Sequence, residues 1–206
     1  MPLGCLILFL LLATSCASAP ALETSKLENS PNTLVVGVSS LPEYDRSSWG
    51  RWIDADNDCQ DTRQEVLIAE SLEPVVFDER GCKVIAGRWR CPYTGKEYSL
   101  PTALDIDHVV AIAEAHEYGG YAWTAEQKSA YFNDLSDPNH LIAVDLSANR
   151  SKGSRGPDDW LPENVAFRCE YLKIRVKVLT AYKLSYDCSS YLSLMAEHCR
   201  SGTMAP

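Results

Sequence analysis

The sequence predicts an α+β fold: a β-hairpin and a short following helix inside a mainly helical, disulfide-stapled single domain. Three observations carry this prediction. Two short apolar runs of strand character, 104–107 and 141–144, stand apart in the chain, and a helix signal follows the second. Capping residues mark helices near 61–72 and 124–132, and 167–182 and 189–200 read as C-terminal helices. Six cysteines lie beyond an apolar N-terminal stretch.

The elements follow in chain order. Residues 3–13 are almost wholly apolar and lead into Ser15-Cys16-Ala17-Ser18-Ala19, a secretory signal over 1–19. The run is too short to span a membrane. No Lys or Arg precedes it, and Leu12-Ala13-Thr14-Ser15-Cys16 also fits a lipoprotein-type signal, so the cleavage site stays open. Residues 20–48 are rich in Ser, Pro, Asn and Glu and read as a flexible leader to a domain over 49–206. Asp61 caps a helix to about residue 72. Segments 75–77, 83–89 and 97–99 are strand candidates, with a turn at Tyr93-Thr94-Gly95-Lys96. A helix over 109–118 should end at Gly119-Gly120. Thr124 caps the next helix, and Asn149 should open a short one after the 141–144 strand. Pro157 and Pro162 bracket a turn around Trp160.

Cys5 and Cys16 would leave with the signal. The remaining Cys59, Cys82, Cys91, Cys169, Cys188 and Cys199 imply three disulfides in an extracellular protein. Fifteen pairings are open, with Cys59–Cys82 and Cys169–Cys199 favoured. No C-x-x-C pair supports zinc. No later segment could span a membrane, so the expectation is a soluble, monomeric secreted protein.

The net charge of −9 argues against a general polyanion binder. Yet residues 149–183 hold eight Lys/Arg against four Asp/Glu, a local +4 against −13 for the remainder. Arg150, Arg155 and Arg168 are candidate nucleic-acid contacts there, although a solvated helix face has the same composition. Trp89, Trp123 and Trp160 read as core rather than as stacking platforms, and His116 and His198 as packing or surface residues. His116 belongs to no H-E-x-x-H motif, because Gly120 holds the required position.

The chemistry concentrates in Asp105-Ile106-Asp107-His108-Val109-Val110, Asn139-His140-Leu141 and Asn149-Arg150-Ser151-Lys152-Gly153. Side chains alternate along a strand, so Asp105 and Asp107 share a face and His108 takes the other. One carboxylate can hold a metal while the next imidazole faces a phosphate. Asn149 is the second oxygen ligand. Lys152, three residues on, shares its helix face and can meet a phosphate oxygen or help hold the metal site. The Asn139 amide can bond backbone across the loop and fix His108. An Asp, an Asn oxygen, water and phosphate suit Mg²⁺, with Mn²⁺ as an alternative. This is the set that a one-metal phosphodiesterase needs.

These three segments resemble the HNH, or ββα-metal, nucleases, whose signatures have the forms D-x-D-H, N-x-L and N-R-x-K. The flanks Asp58-Cys59-Gln60-Asp61-Thr62-Arg63-Gln64-Glu65-Val66-Leu67, Pro92-Tyr93-Thr94-Gly95, Phe132-Asn133-Asp134 and Pro157-Asp158-Asp159-Trp160-Leu161-Pro162 sharpen the likeness. Over about residues 50–200 the chain is similar to secreted HNH-family proteins related to the GmrSD C-terminal (DUF1524) group. The resemblance implies Asp107 and Asn149 as metal ligands, His108 as general base, Asn139 as its orienting residue, Lys152 as auxiliary and Asp105 as support behind the ligands. The family often carries Pro two residues after the histidine; here Val110 stands there. His140 replaces a residue that is usually apolar, and it either lines the site or is a bystander.

The implied activity is hydrolysis of DNA or RNA with little sequence preference, since no element looks like a recognition helix. Two alternatives stay beside it: a catalytically silent, disulfide-rich secreted binding domain, and an effector or toxin nuclease that acts inside another cell.

Overall fold

The computed structural model describes residues 41–199. The signal at 1–19, the leader up to 40 and the chain beyond 199 lie outside the described residues. The fold is α+β and carries disulfides Cys59–Cys82 and Cys169–Cys199.

Asp61 accepts a hydrogen bond from the Gln64 N–H and so starts α1, Thr62–Glu70. The expected strand over 83–89 is two strands. β1 (Val76–Phe77) pairs with β2 (Val84–Ala86), and β3 (Trp89–Arg90) pairs with β4 (Glu97–Tyr98). The break falls at Gly87, where a Cβ would stand 2.5 Å from the Trp89 ring. That ring is buried, and its Nε1 donates to the Leu67 carbonyl at 2.7 Å.

β5 (Leu104–His108) and β6 (Leu141–Asp145), far apart in the chain, form an antiparallel pair of five matched positions, and α4 (Leu146–Lys152) follows at once. Both faces of this pair are buried. Leu104, Ile106, Leu141 and Ala143 pack with Val66, Leu67, Val84 and Trp89. Ile142 and Val144 pack into the larger core with Val109, Tyr131, Tyr171 and Leu172. The strand pair is thereby clamped between two apolar layers, which holds its register against slipping.

Around it stand α2 (Ile112–Glu117), α3 (Ala125–Phe132), α5 (Val165–Ala181) and α6 (Cys188–His198). Thr124 and Gln127 form a capping box at the start of α3. Gly119 follows α2 with φ of 125°, the backbone state glycine adopts without strain. Arg175 of α5 is fully buried and donates to the Val109 carbonyl at 2.7 Å, to Tyr191 at 2.8 Å and to Glu114.

Four expectations need correction. The helix expected over 109–118 begins only at Ile112. Val109 and Val110 are buried, and their carbonyls accept from Arg175 and Tyr131 instead of from a helical ladder. Asn149 does not open its helix; Asp145 accepts from the Ala148 N–H at 2.8 Å and starts α4 earlier. The leader does not run to residue 48, since Tyr44 packs on the core and Pro42 O meets His116 Nε2 at 2.8 Å. Cys91 forms no disulfide. It is a buried free thiol whose Sγ accepts from the Asp145 N–H at 3.1 Å, so three bridges among the six cysteines do not form.

Candidate functional site

A cavity of about 460 Å³ opens beside the end of β5 and is lined by Asp107, His108, Asn149, Tyr44, Arg46, Ala111–Ala113, Gly153 and Ser154. The strand register explains how Asp107 and His108 both come near it. Asp105 pairs with Val144 and Asp107 with Ile142, so the two carboxylates share one face, while His108, paired with Leu141, falls on the other. At the strand end both neighbours reach the same opening.

His108 is buried, and its Nε2 lies 3.0 Å from the Phe132 carbonyl. A carbonyl only accepts, so Nε2 carries the proton and Nδ1 keeps its lone pair. The imidazole lies parallel to Trp52 and Tyr131, with ring centroids 5.5 and 5.8 Å away. Burial, and then His140 beside it, hold its pKa well below the ordinary 6.5. The ring is therefore neutral near pH 7 and able to take a proton.

Asp107 and Lys152 form a buried ion pair at 3.0 Å. The other Asp107 oxygen accepts from the Tyr93 hydroxyl at 2.6 Å. Lys152 is 0% exposed and also donates to the His108 carbonyl at 2.9 Å. Lys152 therefore faces inward and does not reach a phosphate; it ties α4 to β5 behind the cavity. Burial lowers its pKa, and Asp107 opposes that shift.

Asn149 donates its amide N–H to Asp105 at 3.2 Å. That contact turns the amide and leaves its oxygen without a partner among the described residues. The donors at hand for a cation are this amide oxygen and the remaining lone pairs of Asp107. Both are hard oxygens, so the set fits Mg²⁺ or Mn²⁺ better than a thiophilic metal. Asp54, Asp56 and Asp58 also cluster, but they are exposed and do not line this cavity.

Asn139 does not orient His108. Its backbone and side-chain N–H groups point to Asp137, at 3.1 and 3.5 Å, and the Phe132 carbonyl holds the imidazole instead. His140 does not line the cavity; it is buried, with Nε2 2.8 Å from the Tyr131 carbonyl. The basic surface over 149–183 is thinner than its composition. Lys152 and Arg175 are buried, Lys173 and Lys177 pair with Glu170 and Asp137, and Arg155 and Arg168 donate to backbone carbonyls. Arg150 stays exposed.

Sequence reasoning missed Tyr44, Arg46, Trp52 and Tyr93. Tyr44 and Arg46 sat in the supposed leader. Tyr93 and Trp52 come to the site through chain folding, and neither position carries a local signal for it. The Asn133 amide helps, because it bonds Ile53, Thr62 and the Arg51 carbonyl and so moors the 51–62 segment to the end of α3.

The fold and cysteines define the class: an α+β domain with disulfides, the chemistry of an oxidising compartment. The chain is 34% identical over 158 residues to a protein of Arthroderma benhamiae described as an uncharacterized secreted protein, an alignment covering 74% of this chain and 76% of that one. It belongs to the same family, and it is secreted. No family model matches the sequence, and no solved structure matches it. Among the described residues no helix is long and apolar enough to cross a membrane.

Proposed function

We propose that this protein is a secreted, metal-dependent endonuclease of the HNH type, with β5, β6 and α4 as the ββα unit. The observation that carries the reading is the meeting of His108, Asp107 and Asn149 in one cavity, with His108 Nδ1 unprotonated. The substrate is DNA or RNA, taken with little sequence preference.

His108 Nδ1 takes a proton from water, and the water oxygen attacks phosphorus as the bond to the 3′ oxygen breaks. The leaving 3′ oxygen collects a proton from solvent, so the products are a 5′-phosphate and a 3′-hydroxyl. Asn149 and Asp107 would hold a divalent ion, which would supply charge stabilisation during phosphodiester cleavage. The chain's own part is geometric: Phe132 fixes the tautomer, Asp105 turns the Asn149 amide, and Lys152 with Tyr93 anchors Asp107.

The test is cleavage of plasmid and of single-stranded RNA by the oxidatively folded protein and its His108→Ala variant, with Mg²⁺ and with EDTA. Metal-dependent cutting that the folded variant lacks supports the reading. If neither substrate is cut with any divalent ion, the domain is a binding module that has kept the fold.

A further inference from the structure

We propose that Arg46 grips the backbone phosphate of the substrate in the His108 cavity, the part that buried Lys152 does not play. The proposal rests on the nuclease reading above. Among the residues lining the cavity, Arg46 is the one Lys or Arg side chain. Among the described residues it makes no ion pair.

Its guanidinium lies 5.5 Å from the centroid of the Phe132 ring. The carbonyl of that same residue meets His108 Nε2 at 3.0 Å. Phe132 thus sets the cation with its ring and the base with its backbone. Stacking over a ring engages the guanidinium face and leaves the edge N–H groups free for phosphate oxygens. The carrying segment is held in place. Asp45 accepts from the Ser47 N–H at 2.8 Å, Trp49 is 0% exposed, and Pro42 O meets His116.

Most cations of 149–183 are buried or held by other groups, and Arg46 is the one that lines this cavity, so its loss is readable. The experiment uses Arg46→Met, which keeps an apolar stem over Phe132, and Arg46→Lys. Lys173→Met, an exposed change on α5, is the control. Binding of a fluorescent single-stranded oligonucleotide is measured across salt concentrations in the His108→Ala background, and cleavage is measured with His108 intact.

Arg46→Met is expected to weaken binding roughly tenfold. The slope of log affinity against log salt should shrink by about 0.7. Arg46→Lys should restore part of the binding, Lys173→Met should match wild type, and the thermal midpoint should hold. If Arg46→Met binds and cuts as wild type while His108→Ala stays dead, the phosphate role is wrong and the nuclease reading stands. A fallen thermal midpoint with no rescue by lysine would make Arg46 structural and overturn the proposal. If wild type neither binds nor cuts DNA or RNA, both readings fall.

Discussion

The Phe132 carbonyl lies 3.0 Å from His108 Nε2, and the Tyr131 carbonyl just before it lies 2.8 Å from His140 Nε2. These are the last two carbonyls of α3, groups that a helix leaves without internal partners. Two imidazoles satisfy them. One is buried beside the core, and the other faces the cavity with its second nitrogen unprotonated.

The first prediction concerns pH. On the proposed nuclease reading His108 acts as base only when neutral, so activity should be full above its folded-state pKa and lost as pH falls through it. Burial holds that pKa well below 6.5. The kcat/KM profile on a nucleic-acid substrate should therefore stay level below pH 6.5 before its acid limb begins. His108→Ala should lower kcat by about 10²- to 10⁴-fold in protein that is still folded. An acid limb centred above pH 6.5 would contradict this assignment.

Asn149 and Asn139 should behave differently. Asn149 lines the cavity and donates its amide N–H to Asp105, whereas Asn139 is turned to Asp137. Asn149→Ala should raise the Mg²⁺ concentration for half-maximal cleavage by roughly ten- to a hundredfold. Asn139→Ala should leave it within about threefold, an ordinary surface effect. Metal titration of cleavage by the two variants decides the matter.

Removing Lys152 should cost stability before it costs phosphate binding. Lys152→Met leaves the Asp107 carboxylate buried without its cation, a loss of about 3–5 kcal/mol for a broken buried pair. Urea denaturation should show the drop. Unchanged stability with weaker oligonucleotide binding would instead place Lys152 at the phosphate.

Glu70 gives a pH dependence of opposite sign to that of a paired carboxylate. Burial lifts its pKa from 4.5 to about 7, although the Ala143 N–H pulls the other way. The folded state thus holds a proton that the unfolded chain releases between these values. Stability is highest below about pH 4.5, falls as pH rises through the window, and levels off above about 7. The full effect is up to about 3 kcal/mol. Glu70→Gln, which keeps an acceptor for Ala143, should flatten this part of the curve in urea melts at pH 5 and pH 8.

The Cys59–Cys82 bridge and the free Cys91 thiol separate by reactivity. Cys59→Ser with Cys82→Ser opens a link across 23 positions and should cost about 3 kcal/mol. Cys91 is buried, so thiol labelling read by mass spectrometry should find it modified only after denaturation.

Much of the local structure was legible in the sequence. Asp61 and Thr124 cap the helices that their positions promise. The two apolar runs at 104–107 and 141–144 pair as strands, and the two favoured cysteine pairs form. The 83–89 segment looked like one strand because propensity says nothing of Gly87 lying against the Trp89 ring.

Periodicity and capping act over a few residues, so the sequence by itself determined the α+β class, most helix starts, and Asp107 beside His108 at a strand end. Tertiary structure alone decided which partners those side chains took. It brought Arg46 and Trp52 to a histidine more than fifty positions away, turned Lys152 inward onto Asp107, and left Cys91 a thiol under the Asp145 N–H. The reason is that burial and partner choice depend on contacts far apart in the chain. A lysine one helical turn from an asparagine reads the same whether its face meets solvent or a buried carboxylate.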